Sequence, residues 1–200
     1  MSLRTKDITS VATLKTYLDI SGTTQDSLLE LLIKSVTDLV QSYCNRAFVQ
    51  IAYTQEEYDG TGTKELLLNN YPIKTSAGFT LERNVATNNS DSWETVDAED
   101  YFVDAERGIV TKLTNFWQAK NKYRVTYTAG YDKTADTTIL AWPADLELAC
   151  INLAAILYTR RKAMGIKNES VGDFSVTFSD ALEEDPSIKT TLDKYKRYVL

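Results

Sequence analysis

Apolar residues recur at one-turn spacing soon after the start of the chain. Val11, Leu14 and Leu18 follow Ser10, a residue suited to cap a helix, and Ser21-Gly22 supplies a stop. A longer stripe of Leu29, Leu32, Ile33, Val36, Leu39, Val40 and Tyr43 repeats at three and four residues and predicts an amphipathic helix. Thr23 and Asp26 stand at the spacing of a capping box at its start. Asn45, which tolerates left-handed backbone, ends it next to Cys44.

Beyond Arg46 the texture changes. β-branched and aromatic residues come in short runs separated by Gly, Asn and Asp, which predicts strands over 48–58, 65–68, 79–83, 101–103, 109–113 and 123–129. Gly60-Thr61-Gly62 and Glu106-Arg107-Gly108 read as tight turns, and the polar stretch 84–92 reads as an exposed loop.

From Pro143 the helical rhythm returns. Leu146, Ala149, Cys150, Leu153, Ile156 and Leu157 follow a proline placed where a first helical turn accepts it, and Gly165 is a stop after Met164. Residues 171–178 alternate in part like an extended arm or hairpin. Asp185-Pro186 opens a last helix with Ile188, Leu192, Tyr195 and Val199 on one stripe and Lys189, Lys194 and Lys196 largely off it. A short helical pair buries too little apolar surface to offset its ordering entropy, so the two chain ends are expected to fold together. The predicted fold class is α+β. A discontinuous helical core of residues 1–46 and 143–200, with an arm near 168–180, carries an inserted β-rich module of residues 47–142. There are no internal repeats and no low-complexity tracts.

Composition adds bounds to this picture. The 200 residues are 43% hydrophobic and 25% charged, enough for one substantial core, and disorder is not the expected dominant state. The longest apolar runs fall well short of the roughly 20 residues of a bilayer span, so no membrane partner is expected. The start of the chain lacks the apolar stretch of a secretory signal, and the Asn88-Asn89-Ser90 and Asn168-Glu169-Ser170 triplets read as ordinary loop residues. Cys44 and Cys150 lie within helical apolar patterns and read as small buried hydrophobes, which suits synthesis in a reducing cytoplasm. A net charge of −6 argues against a protein that grips nucleic acid by neutralising phosphates, while permitting one that DNA slides past.

Candidate chemistry is sparse. The chain has no histidine and only two cysteines, which removes catalytic triads and four-ligand zinc sites, and no cofactor is expected. Asp97, Glu99, Asp100 and Asp104 read as solvated charges with no supporting motif. Asp59-Gly60-Thr61-Gly62-Thr63 lacks both the carboxylate pattern of a calcium loop and the lysine of a phosphate cradle, and reads as a β-turn. Arg160-Arg161-Lys162 is the densest basic cluster; it suits contact with DNA or an acidic partner, and equally an answer to the helix dipole. Twelve tyrosines against six phenylalanines fit surfaces buried on association, and fit strand flanks as well.

Several segments together resemble one family. Leu14-Lys15-Thr16-Tyr17-Leu18, then Asp26, Leu29, Leu32-Ile33, Val36, Val40, Tyr43 and Arg46, resemble the opening helices of the tailed-phage head-tail connector family, also described as putative DNA-packaging proteins. Tyr58-Asp59-Gly60, Pro72-Ile73, Asp100-Tyr101-Phe102-Val103-Asp104 and Val125-Thr126-Tyr127-Thr128-Ala129-Gly130-Tyr131 are similar to its inserted β segment. Pro143-Ala144-Asp145-Leu146 with Arg161, and Ser170-Val171-Gly172-Asp173-Phe174-Ser175, are similar to its closing part. The resemblance spans nearly the whole chain. Cys44-Asn45 departs from it, standing where the family often has a Thr-Gly pair.

That resemblance implies a structural virion protein, assembled in the host cytoplasm, that forms a ring with itself beneath the portal protein. It implies that the ring extends the channel for passing double-stranded DNA without sequence readout and docks a downstream head-completion or tail protein. A closed ring needs heterologous contacts, for which the outward side of the second helix and the helix of residues 143–164 are candidates. Phe174, Val176 and Phe178 on one face of the arm are candidates for strand addition to a neighbouring subunit or the portal, and Arg160, Arg161 and Lys162 for contact with DNA or an acidic partner. The competing readings are a β-module binding protein that recognises carbohydrate or a host surface through Trp93, Trp117 and Tyr131, and a hydrolase using Asp100 or Asp104.

Overall fold

The computed structural model describes residues 7–86, 91–116, 122–133, 141–164, 182 and 185–197, the side chains of residues 161–164 excepted. The chain divides into two compact units, Met1–Phe48 with Pro143–Leu200, and Val49–Trp142. The fold is α+β, with helices from both ends of the chain and a β module inserted between them in sequence.

In the helical unit, α1 (Val11–Leu18) starts at Ser10, whose hydroxyl accepts a hydrogen bond from the Thr13 N–H at 3.1 Å. It stops at Asp19, which is left-handed at φ 54°, ahead of the Ser21-Gly22 stop read from the sequence. The stripe of leucine, isoleucine and valine forms α2 (Asp26–Cys44), and Leu29, Leu32, Ile33, Val36 and Val40 are buried. The Thr23–Asp26 capping box does not form. Gln25 is the N-cap, without a side-chain cap bond, and the Asp26 carboxylate instead accepts from Lys15 Nζ at 2.8 Å, joining α1 to α2. Asn45 ends α2 at φ 54°, and the Asn45 and Arg46 N–H groups return to the Ser42 and Gln41 carbonyls.

Helix α3 (Ala144–Met164) and helix α4 (Pro186–Tyr195) close this unit, packing on α2 and on each other. Asp185 caps α4 and Pro186 occupies its first turn, where a missing N–H costs nothing. Leu146, Ala149, Cys150, Leu153, Ala154, Leu157, Ile188 and Leu192 bury their side chains with those of α2. Each pair among α2, α3 and α4 also shares one tyrosine hydroxyl bond at its rim: Tyr43 to Asp193 at 2.6 Å, Tyr195 to Asp145 at 2.5 Å, and Tyr158 to Gln25, just before α2, at 2.6 Å. Phe48 belongs here too. It is fully buried, edge-on to Tyr195 at 6.0 Å, so the first strand begins later than residue 48.

The β unit holds β1 (Ile51–Tyr58), β2 (Glu65–Leu67), β3 (Thr80–Asn84), β4 (Trp93–Thr95), β5 (Tyr101–Asp104), β6 (Ile109–Lys112) and β7 (Tyr123–Ala129). They pair antiparallel as two sheets, in the orders β1-β7-β3-β4 and β2-β6-β5. Strand β4 and the 3-10 turns Thr75–Ala77 and Ala98–Asp100 are additions to the sequence reading. One core serves both sheets: Tyr58, Leu81, Tyr123, Val125, Tyr127 and Ala129 from the first meet Leu66 and Val110 from the second, with Leu68, Ile73 and Phe116. Phe116 packs edge-on to Tyr123 at 4.8 Å.

A bulge sets which residues of β1 face that core. Tyr53 lies opposite Tyr127 and Glu56 opposite Val125, so three steps on β1 match two on β7, with Gln55 left-handed at φ 54°. The extra residue turns Glu56 and Tyr58 to the same side as Tyr53. At the far end of β7, Gly130 adopts φ +113°, and a Cβ there would stand 2.7 Å from the backbone carbonyl of Val49. Glycine is required where the first residues of the unit pass its last strand, next to the Val49–Tyr131 bridge.

Leu192 tests whether the two chain ends share one core. Leu192→Ala is expected to lower unfolding stability by about 2–5 kcal/mol, checked by urea denaturation; a change under about 0.5 kcal/mol would mean that α4 does not stabilise the N-terminal helices.

Candidate interaction surfaces

Of the basic cluster, Arg160 is described in full. It is half-buried on α3 and lines a groove of about 330 Å³ with Tyr17, Asn152, Ala155, Ile156, Thr159 and Asp185. Arg161 and Lys162 continue α3, and their side chains lie outside the described residues, as do Phe174, Val176 and Phe178 of the arm. Among the described residues the Asn152 Oδ1 is buried without a hydrogen-bond partner at this groove. Asp185 at its edge accepts from the N–H and hydroxyl of Ser187, bonds that hold its carboxyl below the usual range.

The outward side of α2 exposes Ser27, Leu31, Asp38 and Ser42 at helical spacing, and Leu31 is its one exposed large apolar residue. Lys34 pairs with Glu30 one turn back at 2.8 Å and holds the Glu30 carboxyl low. Arg46 is buried, its guanidinium 5.3 Å from the centre of the Phe48 ring, and so serves the interior.

In the β unit the singled-out acids serve turns. Asp97 accepts from the Glu99 N–H at 3.2 Å, and Asp104 accepts from the Arg107 N–H at 3.1 Å, while Glu99 and Asp100 are exposed. The threonines of the 59–63 turn are internally engaged: the Thr61 and Thr63 hydroxyls both donate to the Glu65 carbonyl, at 2.9 and 3.2 Å. No group of three or more His, Cys, Asp or Glu among the described residues could hold a metal ion. No described helix is long and apolar enough to cross a membrane.

Trp93 and Tyr131, two of the three aromatics considered for a ligand platform, do not come together. Trp93 lies under the Arg124 guanidinium at 4.5 Å, and Arg124 is held bidentate by Glu82 at 2.7 and 2.6 Å. Tyr131 packs edge-on to Trp142 at 6.4 Å, beyond the other end of β7. Eight residues of extended chain separate position 123, at the Trp93 end of β7, from Tyr131, roughly 26 Å at strand rise. Trp117 lies outside the described residues.

One polar cluster escaped the sequence reading. The Tyr58 and Tyr127 hydroxyls both donate to Glu56 Oε2, at 2.5 and 2.6 Å, Asn69 donates to its Oε1 at 2.9 Å, and Tyr53 stacks on Tyr127 at 5.1 Å. Burial, reinforced by the Glu56 carboxylate, pushes both phenols well above their ordinary range. This locks β1 to the core. Lys112 is a second buried polar residue, its amine 5.4 Å from the Phe116 ring centre and 5.7 Å from that of Tyr123; burial, then the Arg83 charge, lowers its basicity.

The sequence profile described as head completion protein matches residues 7–198. The chain belongs to that family. Family membership makes it a structural protein of the phage head-tail junction, consistent with the connector resemblance read from its helices and β segment. In fold it is similar to a chain from the neck of an empty gene transfer agent (GTA) particle computed with C6 symmetry, at 16% identity and a TM-score of 0.55. It is also similar to a chain from the neck of the native GTA particle computed with C12 symmetry, at 15% identity and 0.54, and to one from the virion of the native GTA particle, at 15% and 0.55. Each comparison covers 100% of this chain and 94% of the other. Comparison with curated proteins returns no match.

In this head completion protein Cys44 serves the helical core. Burial pushes its thiol up to about 12, with only partial opposition from Arg46, and its Sγ donates to the Leu192 carbonyl at 3.5 Å. The unfolded thiol ionises near its ordinary value of 9.0 and the folded one only near 12, so the folded state holds the proton longer. The contribution is intact below pH ~8.5 and is lost as pH rises toward the folded value. Native protein at pH 8 is therefore expected to leave Cys44 unmodified by a thiol reagent that labels it fully in denaturant. Rapid labelling of the native chain would show that α4 does not cover this thiol.

Proposed function

We propose that this chain is the ring-forming neck subunit that joins head to tail below the portal and prolongs the channel through which double-stranded DNA passes without sequence readout. The observation that carries the reading is coverage: a head completion family profile over residues 7–198, together with a fold that matches neck chains end to end. Those neck structures were computed with C6 and C12 symmetry, and a rotational ring of copies is the arrangement such symmetry describes.

In this reading the partners are further copies of the chain, the portal protein above and a later head-completion or tail protein below, in a particle assembled in the host cytoplasm. The arm residues Phe174, Val176 and Phe178 add a strand to a neighbouring subunit or to the portal, using backbone hydrogen bonds for affinity and alternate side chains for specificity. Arg160, Arg161 and Lys162 face DNA or an acidic partner. The β unit carries 14 acidic against 9 basic residues, and the rest of the chain 14 against 13, so neither part has the excess of positive charge with which a protein grips a duplex.

Reconstitution with the cognate portal tests this. Purified chain mixed with portal is expected to give closed rings on the portal by negative-stain microscopy, and deletion of residues 170–178 should lower portal binding at least tenfold. Monomeric chain that ignores the portal would refute the reading, whereas undiminished rings from the deleted chain would remove the arm from it.

A further inference from the structure

The two sheets of the β unit differ in what they turn outward. In the four-stranded sheet, Glu57, Arg124 and Glu82 lie abreast on the outer side, next to the Thr126–Thr80 pair, a polar face of the kind a solvated antiparallel sheet carries. In the three-stranded sheet, Leu66, Val110 and Val103 form a row of which Leu66 and Val110 enter the core, so the flanking rows point away from it. Those rows are Leu67, Ile109 and Asp104, and Glu65, Thr111 and Phe102. Leu113 follows two residues after Thr111. Phe102 is 70% exposed, Leu113 68% and Leu67 39%, an apolar face where the sister sheet is polar.

Charge and area indicate what covers it. Beside β2, β5 and β6 in sequence the exposed acids Glu65, Glu99, Asp100 and Glu106 outnumber the exposed bases Lys64 and Arg107, so stacking this face on the same face of another copy would oppose two net acidic rims. A second copy must therefore offer a different surface, and the helical residues, with 14 acidic against 13 basic, are the charge-balanced part of the chain. The three side chains expose roughly 300 Å², against roughly 800 Å² per partner in a stable pairwise interface. The contact is too small to hold two copies alone and suits a closed ring, in which each copy is held on two sides.

We propose that the outer face of β2-β6-β5, centred on Phe102 and Leu113, seats on the helical unit of the next copy and forms one half of the head-to-tail contact in the neck ring. This rests on the ring reading above and adds the surface through which the ring closes.

The test compares wild type with F102S/L113S on portal-bearing heads, and cross-links a Phe102→p-benzoylphenylalanine chain mixed with isotope-labelled wild type. The serine variant is expected to keep its thermal midpoint, because its side chains already stand in water, and to lose ring occupancy at least tenfold. Cross-links are expected to run from position 102 to residues 7–48 or 143–197 of a labelled copy. Undiminished rings from F102S/L113S, a lowered midpoint of that variant, or cross-links to another neck protein alone would overturn this inference while wild-type rings keep the ring reading intact. Wild type that forms no ring on heads would overturn both.

Discussion

The joint between the end of α2 and α4 brings together parts of the chain that are almost 150 residues apart. Cys44 and Leu192 are both fully buried, the Cys44 thiol reaches the Leu192 carbonyl, the Arg197 N–H returns to the Cys44 carbonyl at 2.8 Å, and Tyr43 reaches Asp193. Neither end carries enough apolar surface to fold alone, so the helical unit exists only once this joint closes. Residues 49–142 lie between these two parts in sequence and fold as the second compact unit. Inside the β unit the first and last parts of its chain meet at the Val49–Tyr131 bridge, where only glycine at 130 leaves room for the passing backbone.

The β unit differs between its two outer faces. Cross-strand ion pairs and threonines cover one sheet, and Leu67, Phe102 and Leu113 stand on the other. Its titratable groups serve structure: the Glu56 carboxylate is consumed by two phenols and an amide, and Asp97 and Asp104 hold turns. These three carboxylates thus hold the shape of the β unit.

Much of this was legible in the amino-acid order. The α2 stripe, the start of the Pro143 helix, the Asp185-Pro186 start and the alternation of Tyr123, Val125, Tyr127 and Ala129 each carry a strong period or cap, and each forms as read, while the Gly165 stop and Val199 lie outside the described residues. Failures came where tertiary partners outrank local pattern. Asp26 has the spacing of a cap but is drawn to Lys15, and Phe48 looks like the first residue of a strand but fills a hole beside Tyr195. Alternation through β1 would send Glu57 inward; the left-handed Gln55 inserts one residue and sends Glu56 there instead, which hid the tyrosine cluster. Strand β4 is only Trp93–Thr95, too short to show a period, and is held by β3 and by Arg124 on the Trp93 ring. Of the candidate contact residues, Arg160 lines a groove of the helical unit, and the arm residues Phe174, Val176 and Phe178 lie outside the described part of the chain.

The central claim is that this fold works as one of several identical copies around the axis of a phage neck. Cryo-electron microscopy of the intact particle, with this chain fitted into the density, tests it most directly. The account predicts a closed ring of copies between portal and tail, with the β2-β6-β5 face of each copy covered by its neighbour. Finding the chain as a single copy, or elsewhere in the particle, would contradict it.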